Sequence, residues 1–432
     1  MTRTLRVAAC QIQAHDRGAL AHAWPRIRGL VRQAAADGAR LVVLPEGTLP
    51  SYVLGYQRYD AGEIATALEE CRALARELGI VLVIGAARQE RGEERVFNSA
   101  IAIDADGSIA GHADKHFLWH FDRQWFAPGE RIEPVRTSIG TLGVLICADG
   151  RIPLIASTLV DRGAEILVMP TAWVTSGRDP DNLENIQADL LVRVRARENG
   201  VPFVAANKCG VELGCVAYSG KSQIVASDGS VAAIASQNEE QFVCSDVQAG
   251  ALNIPRPPLG EARTMQRDGA PVSPVRIAIA ADDLRDEPVM EDRLRIVEAQ
   301  VLVMPESTYP AAGNQDVPLV FVDDRIVLDP RGLAAYRLNG VDLAVWKSAV
   351  ELPWLVAFAR ARALELRMYV IAIQPRGRAF AVDPDGAVVC GTFGGYRIAS
   401  FTYDPARARQ TLVAPGTDVR AGLERAHSHA QR

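Results

Sequence analysis

The chain repeats itself, and that repeat limits its possible folds more than any other feature. LRVAACQIQ at residue 5 answers to VRIAIAADD at 275, and LVVLPEGTLPSY at 41 to VLVMPESTYPAA at 301. Further on, AEILVMPTAW and LLVRVRARENGVPFVAANKCG answer to VDLAVWKSAV and WLVAFARARALELRMYVIAIQP, and SDGSVAA to PDGAVVC. Self-similarity over this distance marks a duplicated unit. The second copy is shorter and has lost its middle. After IVLDPRGLAAYR it passes straight to NGVDLAVW, with nothing like GTLGVLICADGRIP, so the cysteine-bearing strand is expected to be missing from it.

Within each copy, apolar runs of strand length alternate with amphipathic helical stretches. One helix is expected near 18–37, with Ile27, Leu30, Val31 and Ala34 on one face, and another near 61–79. This βαβ rhythm predicts an α/β fold with helices packed on sheet faces. A chain of 432 residues exceeds one ordinary core. The boundaries expected are a complete unit at 1–254, a Pro-rich linker at 255–274, a truncated unit at 275–418 and a tail at 419–432, since AGALNIPRPPLGEARTMQRDGAPVSP carries five prolines and little apolar periodicity.

Composition narrows the partners. With 48% hydrophobic residues, 23% charged and a net charge of -5 without long basic blocks, the chain is globular and offers no footprint for nucleic acid or an anionic membrane. A small-molecule partner is expected. The opening MTRTLRVAACQIQ enters a strand-like run too soon for a signal peptide, so a cytoplasmic location is expected. Seven scattered cysteines with no CxxC pair argue against a disulfide framework or a zinc ribbon and leave a reactive thiol open.

Three polar residues sit at the ends of strand-like runs: Glu46 after LVVLP, Lys115 after GSIAGHAD, and Cys147 closing TLGVLIC. Strand ends along one sheet edge are where α/β folds place ligands. A thiol is a nucleophile once deprotonated, a carboxylate can take its proton, and an ammonium can stabilise an oxyanion. Each alone has a plainer reading: a buried structural cysteine, a helix-capping glutamate, a solvated lysine.

The combination resembles the nitrilase or carbon–nitrogen hydrolase superfamily over nearly all of residues 5–250. LVVLPEGTLP looks like its glutamate motif, DGSIAGHADKHFLWHFDRQWFAPG its lysine motif and TLGVLICADGRIP its nucleophile motif. The resemblance implies a four-layer αββα sandwich, here duplicated with the second copy truncated. In its site Cys147 attacks the carbon of a non-peptide C–N bond, Glu46 acts as general base and then acid, and Lys115 stabilises the tetrahedral intermediate. It further implies Ala148 N–H as a second oxyanion donor, and neither cofactor nor metal. The family often carries another glutamate where this chain has Asp122. Either the backbone comes closer there, or the substrate makes a different demand.

The same resemblance favours an amide or N-carbamoyl substrate, since ICADGRIP lacks the Trp-Glu that follows the cysteine in nitrile-cleaving members. Trp173, Phe117, Trp119 and Arg151 are candidate pocket residues; Trp173 as core and Arg151 as a helix-start ion pair are equally open. The alternatives are a nitrilase, an acyltransferase using the same thioester, and a catalytically inactive binding module. Other motifs fail on spacing. GCVAYSGKS has five residues between Gly214 and Gly220 where a phosphate loop needs four, and His116, His120 and Asp122 belong to the lysine motif rather than to a metal site.

In the second copy Glu306 takes the place of Glu46, no lysine answers to Lys115, and Cys390 lies in the closing PDGAVVCGTF strand. A catalytically dead copy is expected. It is expected to pair with the first as an intramolecular pseudo-dimer, as family members pair between chains, with further homo-oligomerisation open.

Overall fold

The computed structural model describes residues 3–431 apart from 56–59, 91, 180, 251–272, 285–286, 306, 311–316, 318, 375–376 and 393. Glu306 and most of the expected linker lie outside the described residues. The chain divides into two compact units, Met1–Ile254 with Ala414–Thr417 and Arg425–Arg432, and Pro255–Val413 with Asp418–Glu424. Among the described residues no helix is long and apolar enough to cross a membrane.

The first unit opens with β1 (Arg3–Gln13), α1 (Leu20–Ala36), β2 (Leu41–Val43) and α2 (Ala61–Leu78), followed by the run β3 (Val81–Gln89), β4 (Val96–Ile103) and β5 (Ile109–Asp114). Next come β6 (Val135–Thr137), β7 (Gly140–Val144), α3 (Pro153–Asp161), β8 (Ile166–Pro170), α4 (Val192–Asn199) and β9 (Phe203–Ala206). It closes with β10 (Lys208–Glu212), β11 (Val216–Ser219), β12 (Gln223–Val225), β13 (Val231–Ile234) and β14 (Gln241–Ala249).

One sheet runs β11-β10-β1-β2-β3-β4-β5, with β14 also paired to β1, and the other runs β13-β12-β9-β8-β7-β6. The side chains sort by strand alternation. Ala8, Cys10, Ile12, Val42, Leu82 and Ile84 pack under α1 and α2, while the intervening Val7, Ala9, Leu41 and Val43 are equally buried on the opposite face. With α3 and α4 on the second sheet, the unit is the four-layer αββα sandwich that the nitrilase-like reading predicts. Local chemistry fixes the helices: the Asp60 side chain caps α2 at Gly62 and Glu63 N–H, and left-handed Gly79 ends it.

The second unit contains β15 (Val275–Ile279), α5 (Met290–Ile296), β16 (Val301–Val303), β17 (Thr308–Pro310), β18 (Leu319–Val322), α6 (Asp324–Leu328) and α7 (Gly332–Leu338). After these come β19 (Leu343–Lys347), α8 (Leu352–Leu366), β20 (Tyr369–Ile373), β21 (Ala379–Val382), β22 (Val388–Gly391) and β23 (Ala399–Tyr403). Its sheets run β17-β16-β15-β23 and β18-β19-β20-β21-β22.

Register overturns one expectation. On α4 Arg195 pairs with Glu198, on α8 Arg362 with Glu365, and each helix ends at a left-handed residue, Gly200 or Arg367. From these anchors β9 matches β20. Leu167 lies opposite Phe203 and Gly143, and Ala344 opposite Val370 and Val320. Four residues beyond Gly143 is Cys147, and four beyond Val320 is Asp324. The cysteine strand is therefore present in the second unit, as β18, and what has gone is the cysteine. The sequence hid this because LVFVDD keeps the apolar strand but none of the residues that mark GVLICAD. Among the described residues, α2, β3–β4–β5, β6, β10 and β11 have no counterpart in the second unit.

Candidate active site

Glu46 sits in the turn after β2. The turn presses against β3: a Cβ on Gly85 would come within 2.4 Å of Pro45 O and 2.5 Å of Glu46 Cα, so only glycine fits there. Glu46 N–H donates to Thr171 O at the end of β8, tying the two sheets together at the site. Lys115 follows β5, and its N–H donates to Asn98 O on β4. Cys147 lies three residues past the end of β7 rather than closing the strand, as the first residue of a 3-10 turn Cys147–Arg151, in the left-handed region at φ 44. A non-glycine residue held there stores backbone strain, a recurrent mark of functional turns.

The side chains converge. Lys115 Nζ lies 2.7 Å from Glu46 Oε1 and 2.6 Å from Asp122 Oδ2, and all three side chains are sealed from solvent. Asp122 reaches the lysine from a 3-10 turn, His120–Gln124, with Tyr52 O–H donating to Oδ1 at 2.9 Å and Trp119 N–H to Oδ2 at 2.9 Å. The shorter carboxylate thus contacts the ammonium directly. The Cys147 thiol stands beside the Glu46 carboxylate and perturbs its ionisation, but among the described residues no aligned hydrogen bond is formed at Glu46 Oε2. Such bonds often tighten only with substrate in place.

Two carboxylates share one ammonium in a dry site, and the ionisations follow. Burial, aided by Asp122 and opposed by Lys115, raises the Glu46 pKa above the ordinary carboxylate value. Burial opposes the Lys115 charge, but Asp122 and Glu46 outweigh it and hold the ammonium firmly protonated. Burial and the Glu46 charge push the Cys147 thiol up to about 12. The resting state is therefore a neutral thiol beside a carboxylate of raised basicity, which suits proton transfer concurrent with attack.

The pocket candidates divide. Ala148 is buried in the cysteine turn. Arg151 ends the turn half-buried, with its guanidinium 4.5 Å from the centre of the Trp119 ring. Phe117 is buried. Trp173 is 1% exposed, its backbone N–H bound to Asn207 Oδ1 and its Nε1 without a hydrogen-bond partner among the described residues.

A family model described as carbon-nitrogen hydrolase matches residues 6–253. The chain belongs to the carbon–nitrogen hydrolase family. It is 28% identical to the N-carbamoylputrescine amidase of Arabidopsis thaliana, over 55% of this chain and 85% of that protein. The citrullinase of Francisella tularensis is 29% identical, over 55% of this chain and 87% of its own. Among solved structures, an amidase from Nesterenkonia sp. superposes with a TM-score of 0.51 at 27% identity, covering 56% of this chain and 90% of that one. This carbon–nitrogen hydrolase is an enzyme of the amidohydrolase type, and amide-type small molecules are its class of substrate.

Several site residues of the hydrolase escape the motif reading. Asn98 Nδ2 donates to Glu46 Oε1 at 2.7 Å. Asp149 ties the cysteine turn to the lysine loop: Oδ1 accepts from His116 N–H at 3.0 Å and Phe117 N–H at 2.7 Å, and Oδ2 from Ile146 N–H at 3.0 Å. Burial, against those three donors, holds Asp149 at about 7. Its signal was its place two residues after the cysteine, inside the motif. Tyr52, nine residues after the end of β2, gave no signal. The phosphate-loop look-alike instead runs through β11, and His116, with Nδ1 bonded to Gly129 O, is held by burial at about 4.

Proposed function

We propose that this hydrolase cleaves a small linear amide or N-carbamoyl compound through a thioester on Cys147. The observation that carries this is the sealed Lys115 ammonium bridging Glu46 and Asp122 beside the strained Cys147 turn. Cys147 Sγ attacks the carbonyl carbon as its proton passes to Glu46. Lys115 and Ala148 N–H receive the developing oxyanion. The C–N bond breaks as Glu46 returns the proton to the departing nitrogen, and Glu46 then deprotonates water for attack on the thioester, releasing the acid and the free thiol. The second unit, with Asp324 where the register puts Cys147, has no thiol for this step and is catalytically silent.

Arg151 supports a substrate bearing an anionic group. Among the described residues it has no hydrogen-bond or ion-pair partner, and burial pulls its pKa down to about 10. A half-buried guanidinium on an aromatic face gains most from a carboxylate held bidentately. The test is ammonia release from amides, carbamoyl amino acids and nitriles, each with and without a carboxylate, by wild type, Cys147→Ala and Arg151→Leu. We expect activity on amides or carbamoyl compounds, none in Cys147→Ala, and a KM about tenfold higher in Arg151→Leu for carboxylate-bearing substrates only, the size of one charge-assisted contact. Release from nitriles with amides spared would overturn the amide reading.

A further inference from the structure

A further buried ion pair lies in the same unit and takes no part in the chemistry above. Lys208 and Glu212 lie at the two ends of β10 on the same face, and Gly210 between them carries no side chain. Lys208 Nζ is 3.1 Å from Glu212 Oε2, and both side chains are sealed from solvent. A pair of this kind is weak evidence for stability, because desolvating two charges offsets most of their attraction. Its hydrogen bonds point to a different use. Glu212 Oε1 accepts from Val53 N–H at 2.7 Å and Oε2 from Tyr218 O–H at 2.7 Å. Val53 adjoins Tyr52, whose hydroxyl donates to Asp122, and the Lys208 ammonium lies 6.0 Å from the Tyr52 ring centre and 5.4 Å from that of Tyr218. The Tyr52 and Tyr218 rings meet edge-on with centroids 6.4 Å apart. A continuous buried chain therefore runs from Lys208 through Glu212 and the loop after β2 to Tyr52, Asp122 and Lys115.

We propose that Glu212, held by Lys208 and Tyr218, is a positioning residue that fixes the loop after β2 so that Tyr52 aligns Asp122 and Lys115. The inference rests on the catalytic reading above. It predicts that Glu212 acts through Tyr52, so their effects are not independent.

The test uses iodoacetamide, an amide-bearing electrophile, on the full-length protein. Its rate of addition is read by mass on the Cys147 peptide, because Cys215 is exposed, and is followed across pH alongside the melting temperature. Tyr52→Phe and Glu212→Gln should each slow Cys147 labelling about tenfold, as expected for a displacement well under an ångström. The double variant should be no slower than the slower single one. Tyr218→Phe, which removes one hydroxyl and leaves the ion pair, should slow labelling less and in the same direction, and keeps the test open if Glu212→Gln does not fold. Multiplying effects, or a lowered melting temperature with labelling and its pH profile unchanged, would overturn the positioning role alone. Wild-type Cys147 that labels no faster than an unactivated thiol would overturn the catalytic reading, and this inference with it.

Discussion

Cys147 and Asp324 occupy the same register in two sheets of the same kind, yet they do opposite work. Cys147 stands strained in a left-handed turn beside a buried carboxylate. Asp324 opens α6 and is saturated: Oδ1 accepts from Trp346 Nε1 at 2.9 Å and from Ser348 O–H at 2.6 Å. Ser348 lies four residues after Ala344 as Thr171 does after Leu167, and Thr171 is the hydroxyl that faces the Cys147 sulfur. Under the proposed mechanism one hydroxyl supports a nucleophile, while the other holds a carboxylate at the first residue of α6, a helix capped by Asp323. Both units keep the helix pair that holds this turn: Arg195 Nε donates to Gly150 O at 3.0 Å, and Arg362 Nε to Val327 O at 2.7 Å. The framework of the turn is kept where the cysteine is not.

The largest expected effect separates the two positions outright. Cys147→Ala should lower ammonia release at least about 10⁴-fold, the scale of losing a covalent nucleophile. If substantial activity survived, with Asp324→Asn abolishing it, the comparison would be reversed.

Next, the matched arginines should respond alike in stability and unlike in activity. Arg195→Met and Arg362→Met each break a buried ion pair and should cost about 3–5 kcal/mol on chemical denaturation. Only Arg195→Met should also lower kcat, because only its carbonyl partner lies in the cysteine turn. Equal kcat losses at matched folded fraction would argue that the second unit takes part in catalysis.

A pH series sharpens the assignment of the base. Glu46 must be ionised to accept the thiol proton, and its pKa is raised, so activity should fall as pH drops through a value above the ordinary 4.5. Asp149, pushed up to about 7 by burial, protonates as pH falls through that value and weakens the tie between cysteine turn and lysine loop. An acid limb at or below 4.5 would remove Glu46 as the base. The smallest effect belongs to Asp324→Asn: kcat within about twofold of wild type, with a melting temperature lower by a few degrees for the weakened hydrogen bonds to Trp346 and Ser348.

The sequence exposed the parts of this structure that follow local rules. Strand and helix periodicity gave an α/β fold with helices on sheet faces, the family resemblance added the αββα layers, and three motifs gave Glu46, Lys115 and Cys147, because each sits at the end of a strand-like run. Asp149 and Asn98 were passed over since their work is to orient, and a carboxylate accepting backbone N–H groups leaves no pattern of its own. Tyr52, Lys208 and Glu212 become neighbours only when β10 pairs beside β1, a contact between distant segments that no short window contains. β18 was missed for the reverse reason: its fold persists while its motif does not.

The central claim is that turnover passes through an acyl group on Cys147 in the first unit. It is tested most directly by acid-quenching the enzyme during turnover of a cleaved amide and locating any added mass by peptide mapping. The account predicts an acyl-sized increment on the Cys147 peptide, absent from Cys147→Ala and discharged by hydroxylamine. Steady turnover with every cysteine peptide unmodified, and with Cys147→Ala still active, would contradict it.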